Sequence, residues 1–324
     1  YYIKRQSIFA CIGILMMYIT SRIDYHVYKK YCRLILGGCF LLLILVLIPG
    51  LGVVRGGSRS WFNLGFFALQ PSELFKIGMI IYSAVFIEKN YYMMKKLKYS
   101  LRLLLVVGLG FLLIMLQPDF GSGVVMVCSI VVMIIVSPFP FIYFVFLAIL
   151  GIIGVVLMIV SAPYRMARIL SFLDPFKDPL GSGFQAIQAL YAIGPGGMLG
   201  VGFDKSIQKH FYLPEPQTDF IFAIVAEEFG FLGGVFLIGL YLSLFITVLK
   251  ASQNVKDIFG SLLMIGIISM IGIQTLINLG VVVGLFPVTG VTLPLMSYGG
   301  TSLVITLMSI GILINISKSQ NCML

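Results

Sequence analysis

The sequence predicts an all-α polytopic membrane protein, and three observations carry that expectation. Hydrophobic residues make up 60% of the 324 positions and charged residues only 10%, with a mean hydropathy of +1.07, a composition far from that of soluble domains. Apolar runs of roughly 15 to 30 residues recur nine times along the chain, against the about 20 that a helix needs to cross hydrocarbon. These runs are solidly apolar rather than alternating, so their backbone amides must be satisfied inside helices and not between barrel strands. The whole of 1–324 therefore reads as one integral membrane domain with nine transmembrane helices.

The spans are expected at about 7–23, 34–48, 72–88, 103–117, 122–136, 141–162, 219–249, 259–285 and 301–317. The chain opens on Tyr1-Tyr2-Ile3-Lys4-Arg5 without a methionine, which carries the expectation that an upstream segment, including a first helix, is missing. Taken alternately, the connections at 22–33, 88–102, 137–140 and 250–258 and the tail hold twelve Lys and Arg, the short segments on the other side four when Lys4 and Arg5 of the N-terminal segment are counted with Arg55 and Arg59. That bias assigns the first group to the cytoplasm. The outward group then comprises 49–71, the turn at Gln117-Pro118-Asp119, the long loop 163–218, and 286–300, four segments able to converge on one outward-facing site.

In the first of these, Arg55 and Arg59 stand beside the only tryptophan, Trp61, and can bind lipid phosphates in general or one phosphate in particular. Pro71 suits a helix start, where a missing amide costs nothing. Glu73 and Lys76 then share one face of that helix, either as an anchoring ion pair or with Lys76 as a fixed cation facing a polar cavity. Gln117-Pro118-Asp119 makes a natural turn, and the role of Asp119 stays open.

The long loop is the polar interruption around which the chain is organised, with Arg165, Arg168, Lys177, Lys205 and Lys209 among its charges. Phe184, Ile187 and Tyr191 fall on one helical face, with glutamines opposite, and predict a helix lying flat in the interface. The run Gly194 to Gly202 (GPGGMLGVG) lacks the spacing and preceding strand of a nucleotide loop; its glycines are expected to permit tight backbone turns. Asp219, at the mouth of the next span, is either a helix cap or a reactive carboxylate. Eight residues on, Glu227 and Glu228 occupy an apolar stretch where a charge costs about 2.5 kcal/mol or more, and they require partners or protonation.

The last outer segment, Gly284 to Ser302, carries no charge but several prolines and glycines. Broken helix at membrane depth is tolerated where it is buried in protein or lines a cavity, so it is expected to form a re-entrant wall. Asn278 and Gln274 on the preceding span can join helices by hydrogen bonds. The five cysteines show no disulfide framework, and the two histidines, His26 and His210, have no metal-ligand spacing.

Several of these stretches occur in order in one known family. Gly57-Ser58-Arg59-Ser60-Trp61, Gln70-Pro71-Ser72-Glu73, Gln117-Pro118-Asp119, Asp174-Pro175 with Gly181 to Gln185, Pro214-Glu215-Pro216-Gln217-Thr218-Asp219-Phe220, and Pro287 to Ser302 make the chain resemble the SEDS proteins (FtsW, RodA and SpoVE) from end to end. The Pro214 to Ala223 wording is closest to the FtsW and SpoVE branch of Gram-positive bacteria. The resemblance implies ten helices, of which the first is absent here, and a bacterial cytoplasmic membrane location with the active site facing outward. It further implies a peptidoglycan glycosyltransferase that polymerises lipid II in cell division or sporulation, working with a class B penicillin-binding transpeptidase and with divisome or sporulation proteins, and not with nucleic acid. The aspartate that the family requires corresponds to Asp219.

On that reading Asp219 accepts a proton from a sugar hydroxyl that displaces undecaprenyl pyrophosphate from the growing glycan with inversion. Substrate-binding candidates are Arg55, Arg59, Trp61, Glu73, Lys76, Arg165, Arg168, Lys205, Lys209 and Ser297, with the cations facing the pyrophosphate. No motif holds a cofactor, but a divalent cation, Mg or Mn, can ride on the pyrophosphate. The alternatives are a lipid II flippase, for which Glu227, Glu228 and Lys76 would supply a polar pathway, and a non-enzymatic scaffold of a division complex.

Overall fold

The computed structural model describes residues 2–321 apart from 56, 64, 66, 161, 162 and 182. Every expected span is a helix: α1 (Tyr2–Arg22), α2 (His26–Leu47), α3 (Pro71–Lys89), α4 (Leu97–Leu116), α5 (Phe120–Val136), α6 (Phe141–Val160), α10 (Ile221–Gln253), α11 (Ile258–Val282) and α12 (Gly300–Asn321). Three shorter helices lie within 163–218: α7 (Pro163–Leu173), α8 (Phe184–Gly196) and α9 (Gln208–Phe211). Among the described residues, six helices (α1, α2, α4, α10, α11 and α12) are long and apolar enough to cross a membrane, and α5 is a shorter apolar helix.

The chain folds as two compact units. The first comprises Tyr1–Pro140, Leu244–Ile273 and Tyr298–Leu324, the second Phe141–Ser243 and Gln274–Ser297.

In the first unit α1 lies along α12, held by polar groups that replace a hydrophobic driving force between lipid-facing helices. Thr20 Oγ1 donates to the Met308 carbonyl (3.0 Å) and Asn315 Nδ2 to the Ser21 carbonyl (3.0 Å). Between α2 and α3 the connection is not irregular, as a purely α-helical expectation has it. It forms a small antiparallel sheet of β1 (Gly52–Arg55), β2 (Ser58–Asn63) and β3 (Ala68–Leu69) in the order β1-β2-β3. Valines and aromatic residues on the two longer strands favour pairing, and Gly57, at φ +82°, completes the tight turn from Arg55 to Ser58.

Pro71 opens α3 as expected, and one turn in, Lys76 Nζ meets Glu73 Oε1 at 2.7 Å with both side chains buried. Asp119 is the N-cap of α5, its carboxylate accepting from the Ser122 amide, Gln70 Nε2 and Ser72 Oγ. Its role is structural: one carboxylate ties the starts of α3 and α5 together.

The second unit is built around α8, the Phe220 to Ile224 turn of α10, and the end of α11. Ala189, Ala192, Phe220, Phe222, Ala223, Val281, Val282 and Leu293 form its core. Within α8, Ile187, Ala189 and Ala192 are buried, while Tyr191, on the face expected to lie in the interface, is 53% exposed. The alanines allow close approach of neighbouring backbone.

Helix α10 is interrupted at Gly230 (φ +65°, ψ −163°), a conformation that only glycine adopts readily. The glycine run of 194–202 fits this break. Val201 and Gly202 amides donate to the Glu227 and Glu228 carbonyls (2.9 and 3.1 Å), and the Phe231 and Leu232 amides donate to the Gly197 and Met198 carbonyls (2.9 and 3.2 Å). Backbone groups released by the kink are thereby satisfied by backbone partners. The run serves close backbone approach, which is why glycines occupy it.

Candidate active site

Glu227 and Glu228, next to the break, resolve their desolvation cost in two ways. Glu227 accepts from Ser206 Oγ (2.5 Å) and the Ile207 amide (2.9 Å). Glu228 receives Lys209 Nζ at 2.6 Å, and the same ammonium reaches Asp204 Oδ1 at 2.6 Å. Burial pulls the Lys209 pKa down, but the hydrogen bonds and charges of Asp204 and Glu228 outweigh it and hold the lysine above its usual value. These acids anchor the 203–209 loop to the break, and Lys209 spends its charge on them.

Asp219 is different. It precedes α10, partly buried, and among the described residues no hydrogen bond reaches its carboxylate. Neither it nor Thr218 caps the helix: the Thr218 hydroxyl turns back to the Glu215 carbonyl (3.1 Å) and carboxylate (3.3 Å). Glu215 itself sits at φ +53° in a tight turn closed by the Thr218 amide on its carbonyl. Burial chiefly, then the Glu215 charge, pushes the Asp219 carboxyl up to about 6, with Arg168 pulling in the opposite direction.

Arg168 on α7 is therefore the cation that the fold brings to Asp219, and its Nη1 donates to the Val288 carbonyl at 3.0 Å. Gly290 lies beside Asp219: a Cβ placed there would stand 3.7 Å from Asp219 Oδ2, in ordinary van der Waals contact.

The charge-free segment after α11 carries these contacts. It has no regular structure from Phe286 to Thr292, and its fold is held by side chains from outside it. Gln274 Nε2 donates to the Thr292 carbonyl (3.1 Å), and Asn278 Nδ2 donates both to the Val291 carbonyl (2.7 Å) and to the Asp219 carbonyl (2.8 Å). Through these bonds the two amides support broken backbone. Ser297 Oγ accepts the Leu293 amide (2.7 Å) and donates to the Thr218 carbonyl (2.5 Å). Tyr241 on α10 also donates its hydroxyl to the Pro294 carbonyl.

The other candidates fall elsewhere. Lys205 is exposed on the 203–209 loop. In the first unit, Arg59 lines a cavity of about 300 Å³ with Leu47, Val54, Gly57, Leu116 and Pro118, Trp61 pairs across the sheet with Val53, and Glu73 and Lys76 form their buried pair. The side chains of Arg55 and Arg165 lie outside the described residues. Asn278 and Gly290 were not anticipated beside Asp219. The spacing of Gln274 and Asn278, one helical turn apart in an apolar span, is the signal that was available for the former.

Comparison with known proteins places this geometry in context. A family model for cell cycle proteins, FtsW/RodA/SpoVE, matches residues 1–322. The chain is 50% identical over 323 residues to stage V sporulation protein E of Bacillus subtilis (strain 168), covering 98% of this chain and 87% of that one. It is 37% identical to a probable peptidoglycan glycosyltransferase FtsW of Geobacter sp. (strain M18), with coverage of 98% and 87%. A solved chain from a peptidoglycan synthase complex that coordinates polymerization and crosslinking superposes with a TM-score of 0.82 at 32% identity, over 98% of this chain and 90% of that one.

Proposed function

Because this chain belongs to the FtsW/RodA/SpoVE family of cell cycle proteins, we propose that it is a peptidoglycan glycosyltransferase of the bacterial cytoplasmic membrane, polymerising lipid II on the outer face. The relative named as a glycosyltransferase and the peptidoglycan synthase complex support the activity, and the complex supports a penicillin-binding transpeptidase as partner. The single observation that carries the chemistry is a carboxylate, Asp219, with a raised pKa and no hydrogen-bond partner among the described residues.

A sugar hydroxyl of one lipid-linked unit attacks the anomeric carbon of the growing glycan; the C–O bond to undecaprenyl pyrophosphate breaks, and Asp219 takes the hydroxyl proton. A base whose pKa lies near the working pH combines the ionised state with appreciable driving force for proton transfer. Pyrophosphate leaves without a second carboxylic acid, unlike the leaving group in glycoside hydrolysis. Departure needs positive charge instead, for which Arg168 is placed closest to the base in charge terms. Among the described residues no group of three or more His, Cys, Asp or Glu could hold a metal ion. A magnesium or manganese ion would accordingly be held mainly by the pyrophosphate, with one or two carboxylates at most.

The groups that would line a flippase pathway, Glu227, Glu228 and Lys76, are each engaged with protein partners. Incubation of the purified chain with labelled lipid II tests the assignment: glycan polymer is expected, whereas translocation in vesicles without polymer establishes a flippase, and neither result a scaffold. The pH dependence follows with its sign. Asp219 must be ionised to accept the proton, so kcat is expected to rise with pH through about 6 and to level off above it. A rate already at its plateau at pH 4.5, near the ordinary carboxylate range of about 3.9, would contradict a base in this environment.

A further inference from the structure

Thr218 and Asp219 present two consecutive carbonyls, and each is held by a side chain that also holds the 288–297 segment. Ser297 Oγ takes the first while accepting the Leu293 amide. Asn278 takes the second while donating to the Val291 carbonyl. The same segment receives Arg168 at the Val288 carbonyl. We propose that residues 288–297 form a template that fixes the position of the Asp219 carboxylate relative to the Arg168 guanidinium, with Asn278 and Ser297 as positioning residues that act through the backbone of the base. The inference rests on the reading of Asp219 as general base and adds how that base is held.

The economy of Asn278 is what points to positioning rather than packing. It is 1% exposed, both its recorded hydrogen bonds go from Nδ2 to main-chain carbonyls of segments without regular structure, and its Oδ1 is buried with no partner. A carboxamide at a helix interface ordinarily satisfies both ends, and a buried acceptor left unpaired costs free energy that a leucine in this place would not. The cost is offset only by what the two carbonyls gain, namely a fixed separation. Ser297 is equally committed: its hydroxyl is both acceptor and donor within 2.7 Å of two backbone groups.

Releasing either staple lets the 218–219 backbone withdraw from the segment. The carboxylate then gains water and moves away from Gly290, while Glu215, Arg168 and the surrounding burial, which together set its acidity, lose their hold on it. Burial is the largest of these influences, so the acidity shifts toward the ordinary carboxylate value. A displacement of the reacting group of about 1 Å lowers the rate by up to about 100-fold.

The test measures lipid II polymerisation by the purified full chain across pH for Asn278→Leu, Ser297→Ala and Ser297→Thr, with Asp219→Ala beside them. Asn278→Leu and Ser297→Ala are expected to lower kcat about 10- to 100-fold with little change in KM and to move the acid limb to lower pH. Ser297→Thr, which keeps the hydroxyl, is expected to restore both. An acid limb that stays in place in the Leu and Ala variants, whatever the rate, overturns the template, and a rise in KM alone would make Ser297 a substrate contact instead. These outcomes are separate from the fate of the base: polymerisation by Asp219→Ala removes the base itself, whereas an inactive Asp219→Ala with unmoved limbs in the other variants removes only the template.

Discussion

Asp219→Ala and Asp219→Asn are expected to abolish polymerisation of lipid II by the purified protein while leaving membrane insertion and co-purification with a transpeptidase partner intact. A positioned general base contributes typically 10²- to 10⁴-fold, and the carboxylate whose charge acts on Asp219 is that of Glu215. Glu215 is drawn back by the Thr218 hydroxyl. The side chain of Asp219 makes no hydrogen bond in the fold among the described residues, so its loss removes chemistry without removing a structural contact. The Asn variant is the stricter of the two, because it keeps the shape and deletes only the basicity. Glycan of normal length from either variant, assayed by gel separation of labelled product, would end the assignment.

Gly200→Val is expected to unseat the break in α10. A Cβ at Gly200 would stand 2.1 Å from the Glu228 carbonyl oxygen, and Gly200 lies at φ +81°; facing it, a Cβ at Gly230 would stand 2.4 Å from the Gly200 amide nitrogen. Two backbones are in direct contact here, so neither can yield by turning a side chain. Strain at a left-handed position costs about 1–3 kcal/mol and overpacking a similar amount, so the loss is expected at about 3 kcal/mol or more. Thermal unfolding in detergent should show a lowered Tm, with a smaller decrease for Gly194→Val, whose Cβ meets nothing within 4 Å. Equal behaviour of the two variants would mean that the glycine run does not serve the kink.

These two expectations differ in how far they could be seen beforehand. The nine long helices were legible because hydrocarbon leaves a chain almost no choice: a run of apolar residues of sufficient length must satisfy its own amides. Asp219 was legible as a carboxylate at the mouth of a span, but the cap reading was equally consistent with its position. What separates the two is that, among the described residues, no helix amide donates to the Asp219 carboxylate. The sheet of 52–69 was not anticipated, because short strands with short turns give a weak pattern beside long apolar runs. The alanines by which α8 packs into the core of its unit, Ala189 and Ala192, were not anticipated beside the larger Phe184, Ile187 and Tyr191.

Sequence alone determined the membrane class, the helices and the family, and put forward Asp219 as the candidate acid, since each depends on local composition or on residues contiguous in the chain. Tertiary structure decided which charges are spent and which remain available. Lys209 is taken by Asp204 and Glu228, Lys76 by Glu73, and Asp119 by the starts of two helices, while Arg168, whose charge acts on Asp219, is held by a carbonyl 120 positions further along the chain. The physical reason is that a charge acts through distance and solvent exposure, and neither quantity exists until segments remote in sequence are folded against one another.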